Sequence, residues 1–185
     1  MLHTYLSMVS FSILLFFAVT GITLNHQSAM NGEPKVTRFS GRVEPGWVAA
    51  SAGQGVEQPR LVAQLRRAHG IKAHLSDFRV DDDQVSVSFK GPGYAADAFV
   101  DRKTAAYEMT ETRMGLVAII NDLHKGRDTG VAWAQVIDIS AVMMVLVSLT
   151  GLTLIFFLQK RLTPGLAVLA IGTVVCLAVY EFLVS

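Results

Sequence analysis

Residues 17–26, FAVTGITLNH, and residues 147–156, VSLTGLTLIF, share one phrase: Thr-Gly, an apolar residue, then Thr-Leu. Each lies in an uncharged run, 5–24 and 139–158. Such a run of about 20 residues measures about 30 Å as a helix, the thickness of a bilayer's hydrocarbon core. Both therefore read as membrane spans, and a domain-sized polar segment lies between them. Of 16 Lys+Arg and 15 Asp+Glu, only Asp138, Lys160, Arg161 and Glu181 fall outside residues 27–131. A cleaved signal peptide is the competing reading of the first run. No Lys or Arg precedes that run, it is long for a signal, and Gln27-Ser28-Ala29 makes a poor cleavage site, so it reads as an anchor.

Composition removes several functions. A net charge of +1 supplies no basic field for nucleic acid. Cys176 is the single cysteine, so the chain has no internal disulfide, no thiolate metal site and no C-x-x-C-H haem attachment. G-x-S-x-G, H-E-x-x-H, P-loop and dinucleotide fingerprints are all missing from the sequence.

Within the polar segment, alternation over 35–43 predicts a strand. Pro59 opens a helix over 60–69, with Leu61, Val62, Leu65 and Ala68 on one stripe and Gly70 closing it. Strands are expected over 75–80, 84–90, 98–101 and 105–109, giving a small α+β domain with the helix on one sheet face. Residues 113–124 return to helical spacing, with Met114, Val117, Ile120 and His124 on one side, and are expected at the membrane surface. Thr163-Pro164-Gly165 reads as a tight turn before a shorter third span over 166–180.

The fold class is therefore an α-helical membrane protein with three transmembrane helices and an inserted small α+β extracytoplasmic domain. Its parts are transmembrane helix 1 over 1–26, the domain over 27–112, an interfacial helix and loop over 113–130, transmembrane helix 2 over 131–160, and a short cytoplasmic turn with transmembrane helix 3 over 161–185. Lys160-Arg161 in the short loop places that loop in the cytoplasm by the positive-inside rule. The N-terminus is then cytoplasmic as well, while the domain and the C-terminus lie outside. In a cell with an outer membrane this is the inner membrane, with the domain in the periplasm. The two Thr-Gly helices run in opposite directions, so the pair reads as a degenerate inverted repeat or as chance likeness between two apolar helices.

The opening LHTYLSMVSFSILLFF, the closing VTGITLNH, the V-D-x-K-T turn at 100–104, and NDLHKGRDTG before a second LTG helix carry a resemblance. Over its whole length the chain resembles the PepSY-associated transmembrane proteins. This implies a PepSY-like domain between the spans. Larger members of the wider family are inner-membrane reductases that bind b-type haem through histidine and pass electrons toward ferric siderophores or flavin-carrying partners; others have no assigned activity. This chain is shorter, with three spans and one PepSY-like unit. A full transmembrane electron path would need a homodimer or a redox partner subunit.

On that resemblance the cofactor is haem b and the candidate ligands are His26 and His124. One ends the first helix and the other approaches the second at the same membrane face. The alternative role for both is that of an interfacial histidine with its polar tip in water. His3 lies about 34 Å of helix from His26 and could not share its iron. It would ligate only across a homodimer or with a partner, and is otherwise ordinary. His69 and His74 belong to the domain, at a spacing that suits neither a helical nor a strand metal pair. Two functions follow. The first is a haem electron-transfer subunit supporting extracytoplasmic reduction of iron complexes or a flavoprotein. The second is a non-enzymatic membrane anchor whose PepSY-like domain binds or restrains a periplasmic partner such as a peptidase.

Overall fold

The computed structural model describes residues 2–48 and 55–183, with the side chains of residues 2, 3, 159 and 160 left out. In chain order the elements are α1 (Leu2–Asn25), α2 (Gln27–Met30), β1 (Lys35–Arg42), a single 3-10 turn (Pro45–Trp47), α3 (Gln58–His69), β2 (His74–Val80), β3 (Gln84–Gly91), β4 (Tyr94–Asp101), β5 (Ala106–Arg113), α4 (Leu116–Lys125), α5 (Gly130–Phe157) and α6 (Gln159–Leu183). They form two compact units, Met1–Leu15 with Asp138–Ser185, and Phe16–Ile137.

Among the described residues α1, α5 and α6 are long and apolar enough to cross a membrane. The expected turn at Thr163-Pro164-Gly165 does not form. The break falls at Leu158, and α6 runs through Pro164. Pro164 stands sixth in α6, so it removes one ladder bond, the one an N–H there would make to the carbonyl of residue 160. Gly165 then allows a close approach within this unit, since a Cβ there would overlap the Ile155 side chain.

The second unit is built on a five-stranded antiparallel sheet in the order β1-β5-β4-β3-β2. Alternation sends Val85, Val87 and Phe89 of β3, Ala96, Ala98 and Val100 of β4, and Tyr107 and Met109 of β5 into one core with Leu61 and Leu65 of α3. Pro59 sits in the first turn of α3, and Gly70 ends it in the left-handed conformation at φ 65°. Strands β4 and β5 extend beyond the expected 98–101 and 105–109. Small and polar residues at 94–97 and 110–113 hide their alternation, but pairing with neighbours on both sides keeps them extended.

Two local devices tie the sheet together. At the β4–β5 turn the Asp101 carboxylate accepts from the Lys103 N–H (2.9 Å), the Thr104 N–H (2.7 Å) and the Thr104 hydroxyl (3.0 Å). The bonds from Thr104 lead in holding this carboxyl below its ordinary value. Arg102 donates to the carbonyls of Val48 (3.0 Å) and Asp81 (3.0 Å), so this turn also clamps the β2–β3 turn. Asp81-Asp82-Asp83 is thus part of a turn, with Asp83 paired to Lys103 at 2.6 Å. At the other edge, Gly41 of β1 faces Tyr107 of β5, whose hydroxyl lies 2.8 Å from His69 Nε2. The His69 ring packs on Phe39 at 4.7 Å, which gives this histidine a structural place.

A Cβ on Gly41 would sit 2.6 to 2.8 Å from the Tyr107 ring. Gly41→Ala therefore displaces Tyr107 and its bond to His69, and should destabilise the domain by about 1–3 kcal/mol, read as an earlier denaturant midpoint by circular dichroism. Tyr94 carries a pH signature: burial first, then the Glu111 carboxylate, push its phenol from 10.0 up to about 12, with Arg113 opposing. Its folded value is raised, so its contribution to stability is complete below pH 10.0 and is lost as pH climbs through about 12. Tyrosinate absorbance of the full chain should show this late-ionising group, and Tyr94→Phe should remove it.

Candidate functional site

The unit Phe16–Ile137 includes the second half of α1 together with α4, and here the site residues gather. Helix α4 starts later than expected, at Leu116, because β5 runs on to Arg113 and Gly115 serves as the N-cap. Its buried face is Ala118 and Asn121 rather than the expected stripe of Met114, Val117 and Ile120. Gly126 ends it in the left-handed conformation, and the Trp133 indole of α5 donates to the Leu123 carbonyl at 2.8 Å. The sheet holds α4 from the other side: the Gly93 N–H donates to Asp122 Oδ2 at 2.9 Å, and a Cβ on Gly93 would strike Ile119.

Against α1 the helix α4 makes two polar rungs, each joining a threonine to a residue one turn from its fellow. Thr20 Oγ1 lies 2.6 Å from His124 Nδ1, and Thr23 Oγ1 lies 2.7 Å from Asn121 Oδ1. Thr20 and Thr23 are 3% and 9% exposed and Asn121 is 0% exposed, so these bonds lie in a dry seam. The His124 ring is half-buried, edge-on to Phe17 with centroids 5.2 Å apart, and its Cε1 lies 3.7 Å from a Cβ position on Gly21.

Proton counting sharpens the Asn121 rung. Thr23 Oγ1 also lies 2.9 Å from the Thr20 carbonyl and has a single proton to give. Both contacts are satisfied when the amide turns its NH2 toward Thr23, since O and N of such a group interchange by a simple flip. As placed, Nδ2 is the atom without a partner; flipped, Oδ1 is. Either way a fully buried asparagine keeps one amide atom unpaired.

His26 sits just past the end of α1 and is exposed. Its Nδ1 lies 3.1 Å from the Ile22 carbonyl. A carbonyl only accepts, so Nδ1 must carry the proton and Nε2 has the free lone pair. No hydrogen bond to Nε2 of His26 or His124 occurs among the described residues. The two rings do not touch one another: His124 falls beside Gly21, five residues before His26, or about 7.5 Å of helix rise. The side chain of His3 lies outside the described residues. His74 is exposed at the start of β2, opposite Lys90. No cluster of three or more His, Cys, Asp or Glu suited to a metal ion occurs among the described residues. A cleft of ≈ 310 Å³ beside α4 is lined by Lys90, Asp122, Lys125 and Arg127 among others, and by neither histidine.

The family model for PepSY_TM-like proteins, PepSY_TM_like_2, matches residues 1–185. The chain belongs to this family. It is a membrane protein of the PepSY-TM type, as the three spans and the sheet between them in sequence also indicate. Comparison with curated proteins and with solved structures finds no match. A neutral imidazole whose Nδ1 donates to a protein oxygen presents an unprotonated Nε2, the kind of donor a haem iron would take. Thr20 stands out in the sequence through its Thr-Gly phrase, as a packing residue first and a cofactor contact second, whereas Thr23 and Asn121 do not, although Thr-x-x-Thr on one helix and Asn-x-x-His on the other are signals at helical spacing.

Removing one member of the Thr23–Asn121 rung should cost more than removing both. Thr23→Val leaves Asn121 with two unmet ends and is expected to destabilise the chain by about 1–3 kcal/mol. Thr23→Val with Asn121→Leu should recover most of that loss in thermal unfolding of the detergent-solubilised protein.

Proposed function

We propose that this protein is a membrane-bound b-type haem electron-transfer subunit that supports extracytoplasmic reduction of iron complexes or of a flavoprotein partner. The observation that carries the reading is the state of the two histidines: His26 and His124 each have Nδ1 engaged by an oxygen of α1 and, among the described residues, Nε2 without a hydrogen bond. Those two residues would hold the haem iron, and bound haem would supply reversible one-electron transfer. The chain's own part is to orient the rings, with Phe17 walling one side of His124. Lys160-Arg161 supports an orientation with the N-terminus in the cytoplasm and the sheet outside, at the inner membrane. With His26 and His124 at one helix end, carrying an electron across the bilayer calls for a second copy or a redox partner.

A PepSY anchor that restrains a periplasmic partner has its own support in the sheet face opposite α3, where Phe99 is 47% exposed. The two readings part on colour. Full chain purified with haem supplied during expression should show reducible Soret and α bands, lost in His26→Ala and in His124→Ala. A colourless protein that co-purifies with a partner through residues 35–110 would decide for the anchor.

A further inference from the structure

The tautomer of His26 follows from its carbonyl partner, but that of His124 does not, because its partner is a hydroxyl that can give or accept. The neighbours of Thr20 resolve it. Its Oγ1 makes two short contacts, 2.6 Å to His124 Nδ1 and 2.7 Å to the Phe16 carbonyl, with the Phe17 carbonyl at 3.3 Å. Each short contact needs a hydrogen between its two heavy atoms, since oxygen lone pairs at 2.7 Å with none between them repel. Thr20 owns one proton. A hydroxyl that donated to Nδ1 would face the Phe16 carbonyl bare.

If the Thr20 proton goes to Phe16 and the His124 ring carries its own on Nδ1, both contacts are satisfied. Other helix hydroxyls in the chain show the same habit: Thr150, Thr153 and Thr173 donate to the carbonyl four residues back at 2.8, 2.7 and 2.9 Å. Thr20 differs in that its remaining lone pair meets an imidazole, inside a seam where it is 3% exposed.

We propose that Thr20 is the positioning residue of His124: its hydroxyl, committed to the Phe16 carbonyl, accepts the Nδ1 proton and thereby holds the ring in the tautomer whose Nε2 lone pair is free to bind iron. The tautomer stands on this geometry alone, and its use for haem rests on the function proposed above. An outer-shell acceptor of this kind also raises the basicity of the ligand nitrogen.

The test uses the full chain, isotope-labelled at the histidine nitrogens and held in lipid nanodiscs without haem. NMR reports which ring nitrogen of His124 carries the proton, the signal being assigned by its loss in His124→Gln. The proton is expected on Nδ1 in the wild type and in Thr20→Ser, which keeps the hydroxyl. In Thr20→Val, of equal shape without it, the preference should disappear. A wild-type ring protonated on Nε2, or a Thr20→Val ring that still holds its proton on Nδ1, overturns the proposal. Haem titrated into the same samples should bind about 10- to 100-fold more weakly to Thr20→Val than to wild type, with Thr20→Ser close to wild type. If the tautomer responds to Thr20 while no sample, wild type included, takes up haem, the positioning role stands and the haem function falls.

Discussion

Helix α4 is pinned by hydrogen bonds on two sides, and the geometry of the candidate site depends on that double hold. On one side Asn121 and His124 meet Thr23 and Thr20 of α1; on the other the Asp122 carboxylate receives the Gly93 N–H from the β3–β4 hairpin. Asp122 follows Asn121 by about 100° around the helix, so the two bonds leave α4 on different sides. Rotating α4 about its axis would break both sets at once, and in the dry seam each lost partner costs the full desolvation of a buried polar group. The sheet therefore fixes the angle of His124 against α1 through its bond to Asp122. The PepSY-like domain has in this way a structural role at the helices besides whatever its own surface binds.

The shared Thr-Gly phrase plays two roles. In both copies the first threonine returns its proton to its own helix, Thr20 to Phe16 and Thr150 to Leu146. Only in the first copy are the threonines buried against another helix, with Gly21 beside the His124 ring. In the second, Thr150 and Thr153 are exposed, and a Cβ on Gly151 would meet nothing within 4 Å. Close packing by Gly21 is itself undemanding, since a Cβ there would make an ordinary contact. The hydroxyl of the phrase, more than its glycine, gives the first copy its use. Space demands a small residue at Gly41, Gly93 and Gly165, all outside the phrase.

Much of the molecule was legible because its physics is local. The spans follow from uncharged length, α3 from Pro59, its apolar stripe and Gly70, and β3 from the alternation of Val85, Val87 and Phe89. Errors arose where neighbours override local signals. Pro164 reads as a turn yet lies in α6, where it costs a single ladder bond within a helix of 25 residues. Residues 113–115 read as helix yet belong to a strand end and a cap, because β5 pairs on both sides up to Arg113.

For the site, the sequence by itself determined that histidines stand at 26 and 124 near the ends of apolar helices, that no thiolate can replace them, and that the chain crosses a membrane. What it could not determine is which oxygen each ring meets. That choice belongs to the tertiary structure, since Ile22 lies on the same helix end as His26 while Thr20 is 104 residues from His124. A tautomer is set by the partner of one nitrogen, and for His124 that partner arrives only when α4 docks on α1. The sequence supplies the imidazole; packing supplies the oxygen that its Nδ1 meets.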